Sequence, residues 1–389
     1  MITREDIREL AAFQSNGDSC ALSFYFQPRT PQNKSHKEET ILAKDLVRQA
    51  LREAEQHGKN ACARDDLERI LDVASQLHGN RAKAKAVFAA GSKSLWREFD
   101  LPPQLPGTQL FVNRRFHLKP LAFLLGGQPK LCVALVDRQR GRFFELRLDE
   151  LKERGGLFRN LPRGRSEGYA GYDGGHAERR VANEYKQHYK QVADRLKDEL
   201  EGGLWEKLVI GCHDTNWSEF EANLHPYVRQ RLVGHFPADV ASLTHDQIRE
   251  NAHHLLRCAL EQRRDQLLRE ALEQAKGNAR GVTGLRRVLR SLEMGEVQTL
   301  LLGENYAARA VECGSCGHVD AHMVPFCPLC GKATRELADV CDAMIPMAIR
   351  RDIELFYVKP DPEFDKVGNI AALLRFRTDQ ARTPIAAAS

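Results

Sequence analysis

Cys313-Gly314-Ser315-Cys316 and Cys327-Pro328-Leu329-Cys330 are separated by ten residues, and no other feature narrows the possible folds of this chain so far. Two CxxC knuckles at this spacing supply four thiolates to a tetrahedron, the geometry zinc prefers. A glycine follows each second cysteine, Gly317 and Gly331, and lets the turn bring backbone amides towards sulfur. Four ligands leave no open position for a substrate. The expectation is one structural Zn2+ per chain, held by Cys313, Cys316, Cys327 and Cys330. Redox chemistry is the competing reading of a single CxxC, whereas a pair of knuckles points to a zinc ribbon. His318 and His322 lie inside the loop and could replace a cysteine, although an all-cysteine site needs neither. The other six of the ten cysteines, Cys20, Cys62, Cys132, Cys212, Cys258 and Cys341, are scattered singly and read as reduced residues, not a disulfide framework.

Around this cluster the chain reads as three α/β units. Residues 1–106 hold a strand at Cys20–Phe26, a polar loop, a helix from Glu38 to about Gln56, a second helix from Asp65, and a strand at Lys85–Ala90. Leu101-Pro102-Pro103-Gln104-Leu105-Pro106 is a donor-poor break. Residues 107–241 open with Gln109–Val112 and continue with a hairpin, Leu131–Val136 and Arg142–Leu148. A long loop, a helix from about Ala177 to Leu200 and a strand at Lys207–Gly211 follow. Residues 242–389 hold a helix over Thr244–Lys276, another over Thr283–Leu292, a strand at Val297–Leu302, the cysteine cluster, and strands at Ile353–Val358 and Ile370–Phe376. The alternation of strand and helix predicts α/β layers.

Composition excludes little. With a formal net charge of +5, the chain tolerates a nucleic-acid partner without requiring one. No apolar run approaches the roughly 20 residues that span a bilayer, and the N-terminus lacks a signal-peptide core. The expectation is a cytoplasmic protein with no membrane partner. No P-loop, Rossmann fingerprint or HExxH occurs. The carboxylates Glu38-Glu39 and Asp65-Asp66 fall at helix starts, where the helix dipole accounts for them.

The segment Gly168-Tyr169-Ala170-Gly171-Tyr172-Asp173-Gly174-Gly175-His176 has little bulk and precedes a helix carrying Arg179, Arg180, Lys186 and Lys190. Basic residues spaced along a helix suit phosphate contacts. Composition alone favours the plainer reading, a surface loop before an amphipathic helix.

This segment resembles the central domain of the archaeal and eukaryotic class-one peptide release factors and Pelota, in which a Gly-Gly-Gln tip precedes a basic helix. Two further stretches are similar to that family. One is Gly284–Leu302, with Glu293-Met294-Gly295 between a helix and a strand and CxxC knuckles after it. The other is Phe111-Val112-Asn113-Arg114-Arg115-Phe116-His117, which resembles the opening strand of the central domain. The tip departs from the family pattern: Gly174-Gly175-His176 has histidine where the family has glutamine. A literal Gly126-Gly127-Gln128 lacks the basic helix behind it and reads as a turn. In the polar loop of the first unit, Asn33-Lys34-Ser35-His36-Lys37 is related to the family's Asn-Ile-Lys-Ser motif over three residues and lacks its isoleucine.

The resemblance implies a three-domain, tRNA-mimicking, release-factor/Pelota-like architecture with a zinc ribbon in the C-terminal domain. Its bacterial branch includes the ribosome hibernation factor Balon. By that resemblance Asn33, Lys34, Ser35 and Lys37 would face the decoding centre, and Gly174, Gly175 and His176 the peptidyl transferase centre. Arg163, Arg165, Arg179, Arg180, Lys186 and Lys190 would contact ribosomal RNA. A translational GTPase such as elongation factor Tu would be a partner of the C-terminal domain. The expected function is occupancy of the A site of vacant or stalled ribosomes, as in hibernation, without peptide release. The alternatives are a release or rescue factor that hydrolyses peptidyl-tRNA with His176 as candidate catalyst, and an RNA- or protein-binding adaptor that does not act on ribosomes.

Overall fold

The computed structural model describes residues 2–14, 20–28, 37–57, 63–77, 84–91, 95–101, 107–122, 129–147, 150–159 and 174–377. The chain divides into two compact units, one built from residues 1–126 together with 264–389 and the other from residues 127–263.

In the first unit, β1 (Ala21–Phe26), β2 (Ala84–Ala90), β3 (Leu95–Leu101) and β4 (Gln109–Asn113) form an antiparallel sheet in the order β3-β2-β1-β4. Two of these were not expected where they lie. β3 was not expected at all, and β4, expected to open the central unit, pairs with β1 through Ala21 opposite Asn113 and Tyr25 opposite Gln109. Alternation along β1 sends Leu22, Phe24 and Phe26 to one core and Ala21 and Tyr25 to another. The first core is closed by helices Lys37–His57 and Arg64–Gln76, with Val47, Leu67 and Ile70 fully buried. The helix Arg4–Ala12, also absent from the sequence reading, opens with a capping box: Thr3 Oγ1 accepts from the Asp6 amide at 3.1 Å and Asp6 accepts from the Thr3 amide at 2.8 Å.

The second core is shared with the C-terminal half of the unit. There β10 (Gly281–Thr283), β11 (Val297–Gly303), β15 (Glu354–Val358) and β16 (Ile370–Leu374) form a mixed sheet ordered β10-β16-β11-β15. The helices Leu285–Met294 and Cys341–Arg350 bury Val288, Leu292, Met344 and Ile345. A third, small sheet, β13 (Val319–Asp320), β12 (Ala310–Cys313) and β14 (Thr334–Leu337), carries the cysteine cluster.

The second unit is one five-stranded sheet ordered β7-β6-β5-β8-β9, from β5 (Leu131–Val136), β6 (Arg140–Arg147), β7 (Glu150–Phe158), β8 (Lys207–Cys212) and β9 (Leu232–Phe236). β5, β8 and β9 run parallel and β6 and β7 return antiparallel. The near-continuous apolar runs of β5 and β8 follow from burial on both faces. β7 occupies part of what the sequence reads as a long loop. One face packs against Tyr189, Val192 and Leu196 of helix Gly174–Glu201, the other against Ile248 and Ala252. Residues 242–263, expected to begin a third unit, therefore group with the second. The helix His245–Lys276 places its later residues Leu267, Leu268 and Ala271 in a core of the first unit.

Cys20 is disulfide-bonded, which corrects the expectation that every scattered cysteine is reduced. Cys132, Cys212 and Cys341 are buried free thiols, as their apolar surroundings suggest. Among the described residues, no helix is long and apolar enough to cross a membrane.

Candidate metal centre and nucleic-acid interface

β12 ends at Cys313, and the next turn brings Cys316 back beside it. Gly317, at φ +73°, reverses the chain with its amide on the Cys313 carbonyl at 3.1 Å. The second knuckle repeats this: Gly331, at φ +71°, donates to the Cys327 carbonyl at 2.9 Å. Positive φ is why glycine follows each pair. The four sulfurs lie within 4.8 Å of one another, with Cys313 and Cys330 at 3.4 Å and Cys316 and Cys327 at 3.6 Å. Tetrahedral bonds of about 2.3 Å to a central ion would separate sulfurs by roughly 3.8 Å, so the four residues fit a zinc-sized metal. The backbone amides of Cys316 and Ser315 point at Cys313 Sγ and hold its thiol down to about 6. This favours a thiolate at Cys313, while at Cys316 the His318 amide lowers the thiol but desolvation and the neighbouring sulfurs together push it up to about 12.

Neither loop histidine joins the cluster. His318 Nδ1 lies 2.7 Å from Glu293 Oε1, which also accepts from the Val319 amide at 3.1 Å. His322 bonds to Asp320 at the surface. Glu293 belongs to the Glu293-Met294-Gly295 stretch. Gly295, at φ +75°, ends the helix Leu285–Met294 and leaves the Glu293 carboxylate facing the first knuckle. On β12 the residue before Cys313 is Glu312, which is fully buried and bridges Arg115 and Arg335. Sequence reasoning singled out neither Glu293 nor Glu312 for these roles. Their adjacency to Gly295 and Cys313 was the only available hint.

The second element is the helix Gly174–Glu201. It begins three residues before the sequence suggests, so Gly174, Gly175 and His176 form its first turn. Its first fully buried side chain among those described is His188. From Gly174 to His188 is about 21 Å along a helix axis, and the described side chains just before His188, residues 183–187, are exposed or half-buried. Three contacts brace the approach. Arg138 lies over the Tyr185 ring at 5.0 Å, and Arg159 pairs with Glu184 at 2.8 Å and donates to Gln187 at 2.8 Å. Asp137 accepts from the Gln139 and Arg140 amides, fixing the β5–β6 turn that carries Arg138. Lys186 and Lys190 are exposed. At about 100° per residue, positions 179, 186 and 190 fall within roughly 40° of one line, while position 180 lies about 100° away.

The decoding-loop candidates Asn33, Lys34 and Ser35, the basic residues Arg163 and Arg165, and the sequence Gly126-Gly127-Gln128 lie outside the described residues. So do the side chains of Lys37, His176, Arg179 and Arg180.

The model of the bacterial archaeo-eukaryotic release factor family 10 matches residues 117–264. The peptide chain release factor subunit 1 of Thermococcus kodakarensis is 23% identical over 313 residues, covering 71% of this chain and 74% of the relative. That of Pyrococcus abyssi is 24% identical with the same coverage. Among solved structures, an archaeal translation termination factor, aRF1, aligns over 96% of this chain and 99% of its own, at 17% identity and a TM-score of 0.25. Archaeoglobus fulgidus Pelota aligns over 96% and 93%, at 13% identity and a TM-score of 0.32. The family match spans all five strands of the second unit's sheet and the helix Gly174–Glu201.

Proposed function

We infer that this protein, a member of the release-factor and Pelota superfamily, is a ribosome-associated translation factor that occupies the A site of vacant or stalled ribosomes without releasing peptide. The observation that carries this reading is the helix Gly174–Glu201. It begins at Gly174-Gly175-His176 and carries Lys186 and Lys190 as exposed side chains ahead of and beside the buried pair His188 and Tyr189. A histidine stands where the family carries the glutamine of its release tip, which supports occupancy over hydrolysis. In this reading Gly174, Gly175 and His176 approach the peptidyl transferase centre, and Arg163, Arg165, Arg179, Arg180, Lys186 and Lys190 meet ribosomal RNA. Asn33, Lys34, Ser35 and Lys37 approach the decoding centre. A tRNA-mimicking arrangement of the release-factor and Pelota type belongs to the same proposal. So does a translational GTPase, elongation factor Tu being the candidate, as partner of the C-terminal part. Zn2+ at Cys313, Cys316, Cys327 and Cys330 would hold the small sheet together and take no part in chemistry.

One observation favours a second reading. The Gly174-Gly175 backbone of the tip is retained, and a backbone amide can position water against an ester without any side chain. The test incubates the protein with ribosomes that carry a labelled peptidyl-tRNA and an open A site. Pelleting and release are followed in the same tubes. Binding with release at the background rate is expected. Codon-independent release would replace occupancy with rescue, its persistence in His176→Ala assigning the chemistry to the Gly174-Gly175 backbone and its loss to the imidazole, and failure to pellet at low salt would overturn both readings.

A further inference from the structure

Between Gly277 and Leu292 the chain carries four arginines and no carboxylate. Three of them, Arg286, Arg287 and Arg290, lie on the helix Leu285–Met294 and are exposed. Helical geometry sets them within an arc of about 100°, opposite the face that buries Val288, Leu289 and Leu292. Among the described residues, none of the three side chains has an ion pair or hydrogen bond. The nearest acid along the helix, Glu293, is engaged by His318 and the Val319 amide.

Helix stability does not account for them. Arg286 and Arg287 fall in the first turn, which holds no acidic residue, and there the helix dipole disfavours cations. Glutamine or glutamate would serve the helix at least as well. Three unpaired guanidinium groups on one face, with Met294 the one exposed large apolar side chain on the same helix, suit an anionic surface with repeated charges. A protein partner would be expected to require more apolar area at its centre. Guanidinium groups pair with phosphate in bidentate fashion, and positions 286 and 290 are one helical turn apart on the same side.

We propose that Arg286, Arg287 and Arg290 form an RNA-binding face in the C-terminal half of the chain, separate from the helix Gly174–Glu201, that grips the phosphate backbone. The inference rests on the ribosome-associated reading for its biological setting and on the arginine face for its chemistry. The face adds a second, sequence-independent electrostatic contact remote in the chain from the tip.

The test uses the full chain, a variant carrying Arg286→Gln, Arg287→Gln and Arg290→Gln, and a control carrying Arg257→Gln, Arg263→Gln and Arg269→Gln. The control removes the same charge from the helix His245–Lys276. Binding of a fluorescein-labelled RNA duplex is measured by anisotropy across a salt series, and ribosome pelleting is measured in parallel. For the first variant, the slope of log affinity against log salt should fall by about two to three, with the control close to wild type. Equal slopes for all three proteins, or an equal fall in the control, would overturn the proposal. An acidic-protein partner would leave the RNA slope untouched, and that outcome too would overturn it. If the wild type binds the duplex but does not pellet with ribosomes, the ribosome reading fails and the duplex series still decides the arginine face.

Discussion

Arg115 and Glu312 form an ion pair across 197 residues of sequence, and Glu312 is fully buried. The other oxygen of Glu312 accepts from Arg335 Nε at 3.1 Å. Arg115 follows β4, Glu312 precedes Cys313 on β12, and Arg335 lies on β14. The carboxylate thus joins the N-terminal segment to the small cysteine-bearing sheet within the first unit. A buried charge of this kind is tolerated because both partners are present.

Removing the carboxylate therefore strands two guanidinium groups. Glu312→Ala should lower stability by about 3 kcal/mol or more, since breaking a buried pair leaves uncompensated charge. The exposed pair Arg309–Glu336 joins the residue just before β12 to β14, and Glu336→Ala there should cost under about 1 kcal/mol. Urea unfolding of both variants checks the contrast. Equal losses would mean that Glu312 contributes no more than a surface carboxylate.

Gly281 opens β10 directly against the helix His245–Lys276. A Cβ built there would collide with the Ala271 carbonyl oxygen and the Ala275 amide nitrogen, both backbone atoms that cannot rotate away. Gly281→Ala should cost about 1–3 kcal/mol or more through overpacking. Gly277→Ala, whose Cβ would meet only the Glu273 carbonyl at 3.6 Å, is the control for helix-end effects. Thermal melts that rank the two variants the other way would refute this account of the close approach.

His188 is fully buried on the helix Gly174–Glu201, and neither ring nitrogen has a hydrogen-bond partner among the described residues. Burial pushes its pKa below the ordinary value of 6.5, and the nearby main chain of Arg140 and Asp137 offsets this only in part. The unfolded chain then binds more protons than the folded one below about pH 6.5, so stability rises with pH through that window and falls on acidification. The second unit should accordingly lose hydrogen-exchange protection in β5 and β8 as pH drops from about 7 to 5. His188→Phe should flatten that dependence, and an unchanged pH profile in the variant would assign the effect elsewhere.

How much of this could be read from the chain varies with what holds each part. The cysteine knuckles were legible because metal coordination constrains spacing and residue type within a few positions. The long helices and the buried strands β5, β8 and β11 were legible from their apolar periodicity. β3 and β7 were missed: most of β7 faces solvent and carries no apolar signature, and in β3 the polar run Arg97-Glu98 interrupts the alternation between Trp96 and Phe99. The Arg4–Ala12 helix was overlooked although Thr3 and Asp6 are a local capping signal. The partnership of β4 with β1, the grouping of residues 264–389 with the N-terminal part, and the roles of Glu293 and Glu312 all depend on residues distant in sequence. No local pattern encodes those pairings.

Metal removal tests the remaining link. The cysteine-bearing sheet has strands of four, two and four residues, and the buried apolar side chains of this region are few: Ala310, Val311, Cys313, Val319 and Cys327. So small a core cannot fold alone, and structural zinc sites supply folding free energy directly. The purified protein should contain about one zinc per chain by elemental analysis. Cys316→Ser with Cys330→Ser changes the two exposed members of the set and should abolish retention of the metal. A strong chelator should raise amide exchange across residues 310–337. Because Glu312 ties β12 to Arg115, protection should also fall at β4, while β5 and β8 in the other unit stay protected. Loss confined to the knuckles would mean that Arg115 and Glu312 hold each other without the metal. A purified chain without zinc would overturn the assignment of the four cysteines.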